Sequence, residues 1–321
     1  MIKVDYIVLN WGDATETLKC LESINDQVGD FEKHIIVVDN ETTASSQQQL
    51  KSSSVPFQLV LNIENLGFSG GINSAIPHLE GSFVALINND CSLAKDWTTQ
   101  GLKQLASRDH GAVGGLEYRW DDQNPVGKTT NETMPLARIN PRDASAQNNI
   151  VPPTKATSVI FMTASNLLLP ASAFQQLRGF DQRFFAYYED VDLCARIIDQ
   201  GLSIIFEPKM QAWHQVNHSS KRIPFKAAYL ARRNRYIVIA KHFGGDWVAR
   251  YLKLATKELL ANTKLLAQRQ NPTISRAGAL ASLWAFTHLP ILARARRSYR
   301  SSLRHKPMFY NKLSASQKGA A

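Results

Sequence analysis

Residues 82–90, SFVALINND, run from a short apolar stretch directly into two asparagines and an aspartate. A continuous apolar run of this length, bounded by polar residues, predicts a buried β-strand. Similar runs precede it in the chain: VDYIVLNW at 4–11, HIIVVDN at 34–40 and FQLVLNI at 57–63. Segments with apolar residues at helical spacing, such as ATETLKCLESI, lie between them. Strands that alternate with helices predict an α/β fold, with a mostly parallel sheet covered by helices on both faces.

Polar side chains follow three of these predicted strands. Asn10 ends the first run, Asp39 lies at the end of the second, and Asn88, Asn89 and Asp90 follow the last. In sheets of this kind ligands bind at the carboxyl ends of the strands, so we expect a binding site there. A single carboxylate, with phosphate oxygens and water, is a usual setting for Mg²⁺ or Mn²⁺. Asp90 could supply that carboxylate, and the alternative is an ordinary turn residue.

The composition is that of a globular protein. The chain has 321 residues, of which 44% are hydrophobic and 20% are charged, so it can bury a sizeable core. Its three cysteines, Cys20, Cys91 and Cys194, are odd in number and lack metal-ligand spacing, which predicts free thiols in a reducing cytoplasm. The N-terminus, MIKVDYIVLNW, has no small-residue cleavage site and reads as a first strand, not as a signal peptide.

The net charge of +10 conceals an asymmetry between two parts of the chain. Residues 221–321 carry 21 Lys and Arg against two acids, for a net charge of +19, whereas residues 1–220 have a net charge of −9. This predicts an acidic body, 1–220, joined to a basic C-terminal region, 221–321. Such a region suits nucleic acid or an anionic membrane surface, and the alternative is a solvated helical surface.

The stretch FFAYYEDVDLCARI, residues 184–197, places three acids behind two aromatic pairs. Acids in a first helical turn favour the positive end of the helix dipole, and Asp192 can pair with Arg196 at i+4. Gly201 is a plausible end for that helix. Capping explains Glu189 and Asp190 less well, because aromatic side chains around a carboxylate exclude water and favour its use as a general base. We therefore predict that Asp190 and its neighbour Glu189 are catalytic, with Asp190 as the base.

Two further motifs are weak signals on their own. NIENLGFSGGINSAI, at 62–76, places a glycine pair before a predicted helix over 71–81, where the backbone can approach a ligand closely. A glycine-rich turn from strand to helix is the alternative. His214, in FEPKMQAWHQVNHSS, follows another predicted strand. A histidine beside a tryptophan is more often structural than a ligand, and only its order in the chain favours a role in the site.

The motifs VLNW, VVDN, NLGFSGGIN, LINND, FDQRFFAYYEDVDLCAR and AWH together resemble the inverting family 2 glycosyltransferases of the GT-A fold. The similarity covers roughly residues 3–240 and is strongest to the bacterial rhamnosyltransferase-like branch. The resemblance implies a nucleotide-sugar donor, a divalent metal ion (Mg²⁺ or Mn²⁺) and direct displacement at the anomeric carbon. It further implies a GT-A domain over 1–220, followed by the basic, mainly helical region.

The resemblance also assigns roles to individual residues. Asn10 and Asp39 would contact the nucleoside, and Asn65, Gly67 and Gly71 would shape the donor pocket. Asn88, Asn89 and Asp90 stand where the family has an Asp-x-Asp motif, which leaves Asp90 as the carboxylate ligand there. His214 would complete the metal or diphosphate site. Asp190, the second residue of the pair that begins with Glu189, matches the catalytic base, whereas Gly12 replaces a polar residue found in many relatives.

The basic region has a candidate role at a membrane. Residues 277–293, AGALASLWAFTHLPILA, are too short and too polar for a confident transmembrane helix. A helix that lies in the membrane interface, anchored by Trp284 and flanked by arginines, fits better. The alternative is a helical subdomain that packs its apolar face on the body, and the two are compatible.

The sequence therefore predicts an inverting, metal-dependent glycosyltransferase of bacterial polysaccharide or lipopolysaccharide assembly. It would be cytoplasmic and peripheral on the inner face of the membrane, where it would use a polyprenyl-diphosphate-linked saccharide acceptor. dTDP-rhamnose is the leading donor and a UDP-sugar is the alternative. A non-catalytic nucleotide-sugar-binding protein and a nucleic-acid-binding protein are the other classes. The intact YED opposes the first, and the absence of zinc-ligand and RNP-type patterns opposes the second. Donor and acceptor specificity would depend on residues 117–157 and 163–188.

Overall fold

A computed structural model describes residues 1–121, 124–126, 153–215, 223–303 and 307–312. The strands are β1 (Ile2–Asn10), β2 (Phe31–Asn40), β3 (Gln58–Asn62), β4 (Phe83–Asn88), β5 (Cys91–Leu93), β6 (His110–Asp121), β7 (Asn124–Val126), β8 (Thr157–Val159), β9 (Asn166–Pro170) and β10 (Ser203–His214). The α-helices are α1 (Thr15–Asn25), α2 (Ala44–Lys51), α3 (Gly67–Asn73), α4 (Trp97–Leu105), α5 (Ala171–Gln176), α6 (Glu189–Asp199), α7 (Pro224–His242), α8 (Trp247–Ala267) and α9 (Pro272–Ser301).

The strands form one mixed sheet in the order β3-β2-β1-β4-β9-β6-β10-β5. The first four strands are parallel, as the alternating pattern predicts, and β6 is parallel to β10. β9 runs antiparallel to both of its neighbours, so the sheet is less regular than the pattern of strands and helices suggests. A parallel neighbour needs a crossover that returns the chain to the same edge. β9 instead begins at the edge where β4 ends.

The strand register brings the predicted polar residues to one edge of the sheet. Asn10 is in register with Asp39, and Leu9 is in register with Asn88. Asn40, the last residue of β2, is in register with Asn62 at the end of β3. The prediction that the polar strand ends gather at one edge is confirmed.

The helix predicted over 71–81 lies elsewhere. α3 begins at Gly67 and ends at Asn73, and a separate 3₁₀ turn follows at Ile76–His78. Pro77 explains the interruption, because it lacks an N–H group and cannot continue an α-helix. Two other predictions are confirmed: Arg196 Nε donates to Asp192 Oδ2 at 2.7 Å, and Gly201 has a φ of +87° just beyond α6.

The three long helices α7, α8 and α9 share one hydrophobic core with the sheet region. Buried side chains of α6, such as Leu193 and Ile197, belong to the same hydrophobic cluster as Tyr236 on α7 and Tyr251 on α8. The boundary expected at residue 220 lies within 216–222, outside the described residues. The division into 1–220 and 221–321 therefore stays a prediction.

α9 contains the segment 277–293 and has two contrasting faces. Small residues of one face are buried, among them Ala277, Ala281 and Ala285. The exposed apolar side chains of the other face are Leu280, Leu283, Phe286 and Ile291. Within the described residues, no helix has the length and apolar character needed to cross a bilayer.

Two other expectations concern the cysteines and the specificity segment. Cys20, Cys91 and Cys194 are buried free thiols, as predicted. Most of residues 117–157 lies outside the described part of the chain, so that part of the specificity prediction has no structural account here.

Candidate active site

A cavity of about 290 Å³ opens at the carboxyl ends of the central strands. Most of the predicted site residues line it, although they come from four separate parts of the sequence. They are Asn65, Gly67, Asn88, Asn89, Asp90, Glu189, Asp190 and His214. Trp11, Phe68, Phe185 and Tyr187 add an aromatic wall. The cavity thus combines carboxylates, amides and one imidazole with an apolar surface, as sites for polar organic ligands commonly do.

Asn10 and Asp39 do not line the cavity. Both are fully buried, and Asn10 Nδ2 donates to Asp39 Oδ1 at 2.8 Å. Asp39 Oδ2 accepts hydrogen bonds from Thr42 Oγ1 at 2.6 Å and from Ser46 Oγ at 2.7 Å. The carboxylate is therefore satisfied by the protein itself, and a contact between Asp39 and a nucleoside stays a prediction.

A buried threonine links this pair to the cavity. Thr17 Oγ1 donates to Asn10 Oδ1 at 2.7 Å and accepts from Asn89 Nδ2 at 3.1 Å. Since Asn89 lines the cavity and Asn10 bonds to Asp39, one chain of hydrogen bonds joins the ends of β1 and β2 to the residues after β4.

Gly71 also lies outside the cavity lining. A Cβ atom at this position would overlap the side chain of Leu9. Gly71 therefore lets α3 pack closely on the end of β1. Its influence on a donor pocket would be indirect, through the position of α3.

The carboxylate of Asp90 and the imidazole of His214 lie side by side in the cavity. Asp90 Oδ1 is 3.0 Å from His214 Nε2, and the other ring nitrogen, Nδ1, is 2.7 Å from Glu117 Oε1. Glu117 is itself held by Ser165 Oγ and by Asn166 Nδ2, the latter at 3.1 Å. Glu117 thereby fixes the ring of His214 with Nε2 toward Asp90.

The two carboxylates determine the proton affinity of the histidine. Burial lowers the pKa of His214, but Glu117 and Asp90 outweigh it and raise the pKa to about 10. Burial likewise raises the pKa of Glu117, and His214 outweighs it, so the net shift is downward. Without a bound cation, His214 is therefore a protonated group between two carboxylates.

The donor atoms here fit a divalent cation. Asp90 offers an oxygen and His214 offers Nε2, while the Nδ1 contact with Glu117 has the arrangement that orients metal-binding histidines. Among the described residues, Asn88 Oδ1 is a buried oxygen with no hydrogen-bond partner, and Asn88 lines the same cavity. The nearby thiol of Cys91 fits poorly, because burial raises its pKa well above the usual value and keeps it protonated.

Glu189 and Asp190 begin α6, and both line the same cavity. Both side chains are largely buried, and Asp190 Oδ1 accepts a hydrogen bond from the Val191 backbone N–H at 2.8 Å. Asp190 makes this bond and also lines the cavity. The carboxylate that the sequence identifies as a base thus lines the same cavity as the Asp90–His214 pair.

The loop before α6 has an unusual backbone. Phe185, Tyr187 and Tyr188 have φ values of 63°, 72° and 71°, a region that side chains with a Cβ rarely adopt. The N–H of Ala186 donates to the carbonyl of Phe184 at 2.8 Å, which closes a γ-turn on Phe185. Conformations of this kind cost about 1–3 kcal/mol per residue and cluster at functional sites.

α3 contacts this loop directly. Gly67 has a φ of +73°, and a Cβ there would overlap the carbonyl oxygen of Phe185. The N–H of Ser69 donates to that same carbonyl at 3.0 Å. Only glycine allows α3 and the loop to approach so closely, which explains why position 67 is a glycine.

A family model for glycosyl transferase family 2 matches residues 7–175, which include strands β2, β3 and β4 and the cavity residues Asn88, Asn89 and Asp90. This chain belongs to glycosyl transferase family 2. A relative from Mycobacterium tuberculosis, N-acetylglucosaminyl-diphospho-decaprenol L-rhamnosyltransferase, is 33% identical over 240 residues, which cover 67% of this chain and 77% of the relative. Rhamnosyltransferase WbbL of Escherichia coli is 34% identical over 86 residues, or 24% of this chain and 33% of that protein.

Solved structures of glycosyltransferases share the fold. A mannosyltransferase from Pyrobaculum calidifontis, in complex with GDP-Man and Mn²⁺, matches with a TM-score of 0.52 at 18% identity, over 99% of this chain and 80% of the other. GalNAc-T7 with UDP, GalNAc and Mn²⁺ matches with a TM-score of 0.62 at 10% identity, over 99% and 57%. The chain is a family 2 glycosyltransferase of the rhamnosyltransferase-like branch, with the GT-A fold.

Two residues that support the cavity of this family 2 enzyme, Asn40 and Glu117, are not among the predicted site residues. Asn40 Nδ2 lies 3.1 Å from Asn65 Oδ1 and 3.1 Å from the carbonyl of Gly67, so it holds the start of α3. Its position directly after Asp39, at a strand end, is a signal that could have identified it. Glu117 has a weaker signal, an acid within the apolar strand pattern of β6.

Proposed function

We propose that this glycosyltransferase moves L-rhamnose from dTDP-rhamnose to a lipid-linked saccharide, with inversion at the anomeric carbon. The observation that carries the proposal is that Asp190 and the Asp90–His214 pair line one cavity, in a chain 33% identical to an L-rhamnosyltransferase. A carboxylate can act as the general base in sugar transfer, and a bound cation can stabilise the charge on the leaving diphosphate.

In the proposed reaction, the carboxylate of Asp190 accepts the proton of the acceptor hydroxyl as its oxygen attacks the anomeric carbon. The bond between that carbon and the diphosphate oxygen breaks on the opposite face, so one displacement inverts the configuration. A positioned base contributes about 10²–10⁴-fold to such a step. Asp90 and His214 would hold a divalent cation, with Asn88 Oδ1 beside them. When bound, the cation would neutralise the charge that develops on the leaving diphosphate.

The acceptor class follows from the relative. The Mycobacterium tuberculosis protein is named for an N-acetylglucosaminyl-diphospho-decaprenol acceptor. We infer a polyprenyl-diphosphate-linked saccharide as the acceptor class here. The aromatic residues of the cavity, such as Trp11 and Phe185, support this inference because sugar rings stack on aromatic side chains.

We also infer that the enzyme is peripheral on the cytoplasmic face of the membrane. The exposed apolar side chains of α9, Leu280, Leu283, Phe286 and Ile291, are between 38% and 54% exposed. Exposed arginines, Arg294 and Arg297, follow them on the same helix. An apolar face bordered by cations suits attachment to an anionic leaflet, where the acceptor lipid would lie.

A transfer assay tests the proposal. The purified enzyme is supplied with a short-chain prenyl-diphosphate N-acetylglucosamine acceptor, Mn²⁺ or Mg²⁺, and either dTDP-rhamnose or a UDP-hexose. We expect transfer from dTDP-rhamnose alone, a product anomer opposite to that of the donor, and loss of activity with EDTA. Asp190→Asn should lower kcat by about 10²-fold or more. Asp109→Asn, which alters an exposed aspartate outside the cavity, is the matched control and should retain activity.

Different results would contradict different parts of the proposal. Transfer from a UDP-sugar would overturn the donor assignment and keep the enzyme class. A folded Asp190→Asn variant with the wild-type rate would overturn the role of the base. If no donor is turned over while a short DNA duplex stabilises the protein, the enzymatic proposal itself fails.

A further inference from the structure

Asn234, on α7, contacts the strained loop that leads into Glu189 and Asp190. Its side chain is completely buried. Nδ2 lies 2.9 Å from the carbonyl oxygen of Phe184 and 2.7 Å from that of Ala186. The carbonyl oxygen of Tyr187 is 2.6 Å away. The two N–H groups of this amide therefore lie within hydrogen-bond distance of three carbonyls of a single loop.

The orientation of this amide is determined by its neighbour. Asn234 Oδ1 accepts from Arg233 Nε at 2.9 Å and from Arg233 Nη2 at 2.7 Å. A flipped amide would place its oxygen against three carbonyl oxygens and its amino group against a guanidinium, so only one orientation is favourable. Arg233 Nη2 also donates to the carbonyl of Phe184 at 3.0 Å, which adds a second contact from α7.

These contacts are made to the part of the loop that has unfavourable backbone angles. The carbonyls of Phe184 and Ala186 flank Phe185, the residue at the centre of the γ-turn. The third carbonyl belongs to Tyr187, the first of two consecutive residues with positive φ before α6. Left-handed conformations of such residues persist only where the surrounding structure determines them. In the absence of the amide, the loop would relax toward ordinary backbone angles and shift the start of α6.

We infer that Asn234 is a positioning residue for the general base. It holds residues 184–188 in the conformation that sets Asp190 at the cavity, and it makes the C-terminal helices part of the catalytic apparatus. The inference rests on the proposed function, because it takes Asp190 as the base. Asn234 itself does not line the cavity, so it acts through the loop and not on the substrate.

The test separates chemistry from binding and from stability. Asn234→Ala should lower kcat by about 10²-fold, since a small misplacement of a reacting group costs that much. The KM for the sugar nucleotide should stay within about threefold of wild type, because the loss affects the chemical step. Rates are expressed per folded molecule, with the folded fraction measured by circular dichroism.

A second buried asparagine provides the matched control. Asn262 on α8 is also buried, and its Nδ2 donates to the carbonyl of Glu258 at 2.7 Å, within its own helix. Asn262→Ala should lower the melting temperature and leave kcat unchanged. If both alanine variants lower kcat equally, the role of Asn234 is only structural and the inference is wrong.

Asp190→Asn, assayed in parallel, distinguishes this inference from the proposed function. An inactive Asp190→Asn with a fully active Asn234→Ala would overturn the inference alone. An active Asp190→Asn would overturn the base assignment instead. If Asn234→Ala does not fold, Arg233→Ala takes its place, because it removes the group that orients the amide. An unchanged kcat in Arg233→Ala would then count against the inference.

Discussion

At the scale of single residues, His214 is oriented by an acid from another strand. Glu117 on β6 lies 2.7 Å from Nδ1 and thereby directs Nε2 toward Asp90. A carboxylate on the far nitrogen fixes the tautomer of a metal-binding histidine and increases its basicity. Because cation binding must displace the proton on Nε2, the affinity of the site should increase with pH.

Changing Glu117 to Gln should weaken the proposed cation site without removing one of its proposed ligands. We expect the Kd for Mn²⁺ to rise by about 10–100-fold, the usual effect of losing such a partner. Isothermal titration of Mn²⁺ into the protein with nucleoside diphosphate present measures this directly. Glu207→Gln is the control, because Glu207 is a buried glutamate of β10 that pairs with Gln104, and Gln104 does not line the cavity. An equal loss of affinity in both variants would contradict the role of Glu117.

At the scale of elements, a buried ionic cluster joins α6 to α7. Asp192 is completely buried and lies 2.7 Å from Lys241 Nζ, 2.7 Å from His242 Nε2 and 2.7 Å from Arg196 Nε. Burial raises the pKa of Asp192, but Lys241, Arg196 and His242 together outweigh it, and the pKa falls well below the usual value. The cluster ties the helix that begins with Glu189 and Asp190 to the C-terminal helices.

This cluster should make the free energy of unfolding depend on pH in the acidic range. The folded-state pKa of Asp192 lies below the unfolded value of about 3.9, so its contribution is fully present above that pH. The contribution is lost as the pH falls through the folded-state pKa. We expect the free energy of unfolding to decrease from about pH 5 downward, in urea titrations followed by circular dichroism at a series of pH values.

Asp192→Asn should remove that dependence in part. At pH 7 the variant should lose about 3–5 kcal/mol, because it leaves buried cations without their partner. The difference from wild type should shrink as the pH is lowered and the aspartate of the wild type becomes protonated. Asp246→Asn, which breaks the exposed pair with Arg250, should cost less than about 1 kcal/mol at either pH. A constant difference between Asp192→Asn and wild type would contradict the prediction.

At the scale of the whole molecule, one side chain of α7 contacts both the loop next to the cavity and helix α9. Arg233, which supports the loop before α6, also lies with its guanidinium carbon 5.6 Å from the ring centre of Trp284 on α9. The helix proposed to meet the membrane is therefore close to the loop that precedes Asp190. This arrangement suits an enzyme whose acceptor is anchored in a bilayer.

The double variant Leu283→Glu/Phe286→Glu should weaken binding to anionic liposomes by at least about tenfold. Both side chains are exposed, so the fold should be retained, and cosedimentation with phosphatidylglycerol vesicles measures the loss. Added salt should reduce binding of the wild type, because screening weakens attraction to the leaflet. Val28→Glu is the control, since Val28 is exposed before β2, at the sheet edge opposite the cavity. Unchanged binding in the double variant would exclude this face.

Local patterns were sufficient for much of the fold. The apolar runs that end in Asn10, Asp39 and Asn88 predict parallel strands with a polar edge, because alternation and apolar length are properties of neighbouring residues. The pair formed by Asp192 and Arg196 follows from helical spacing for the same reason. The bounds of α3 and the antiparallel direction of β9 depend on how distant segments meet, and periodicity carries no information about that.

For the site, the sequence by itself determined the residue types and their order, since a cavity at the strand ends is lined by the residues at those ends. Most of the predicted residues, including Asp90, His214 and Asp190, line one cavity. Only the tertiary structure decided what orients them. Glu117 reaches His214 across 97 residues of chain, and Asn234 reaches the loop before Glu189 from 47 to 50 residues away. Such contacts depend on the packing of whole helices and strands, because it brings together side chains that no local pattern connects.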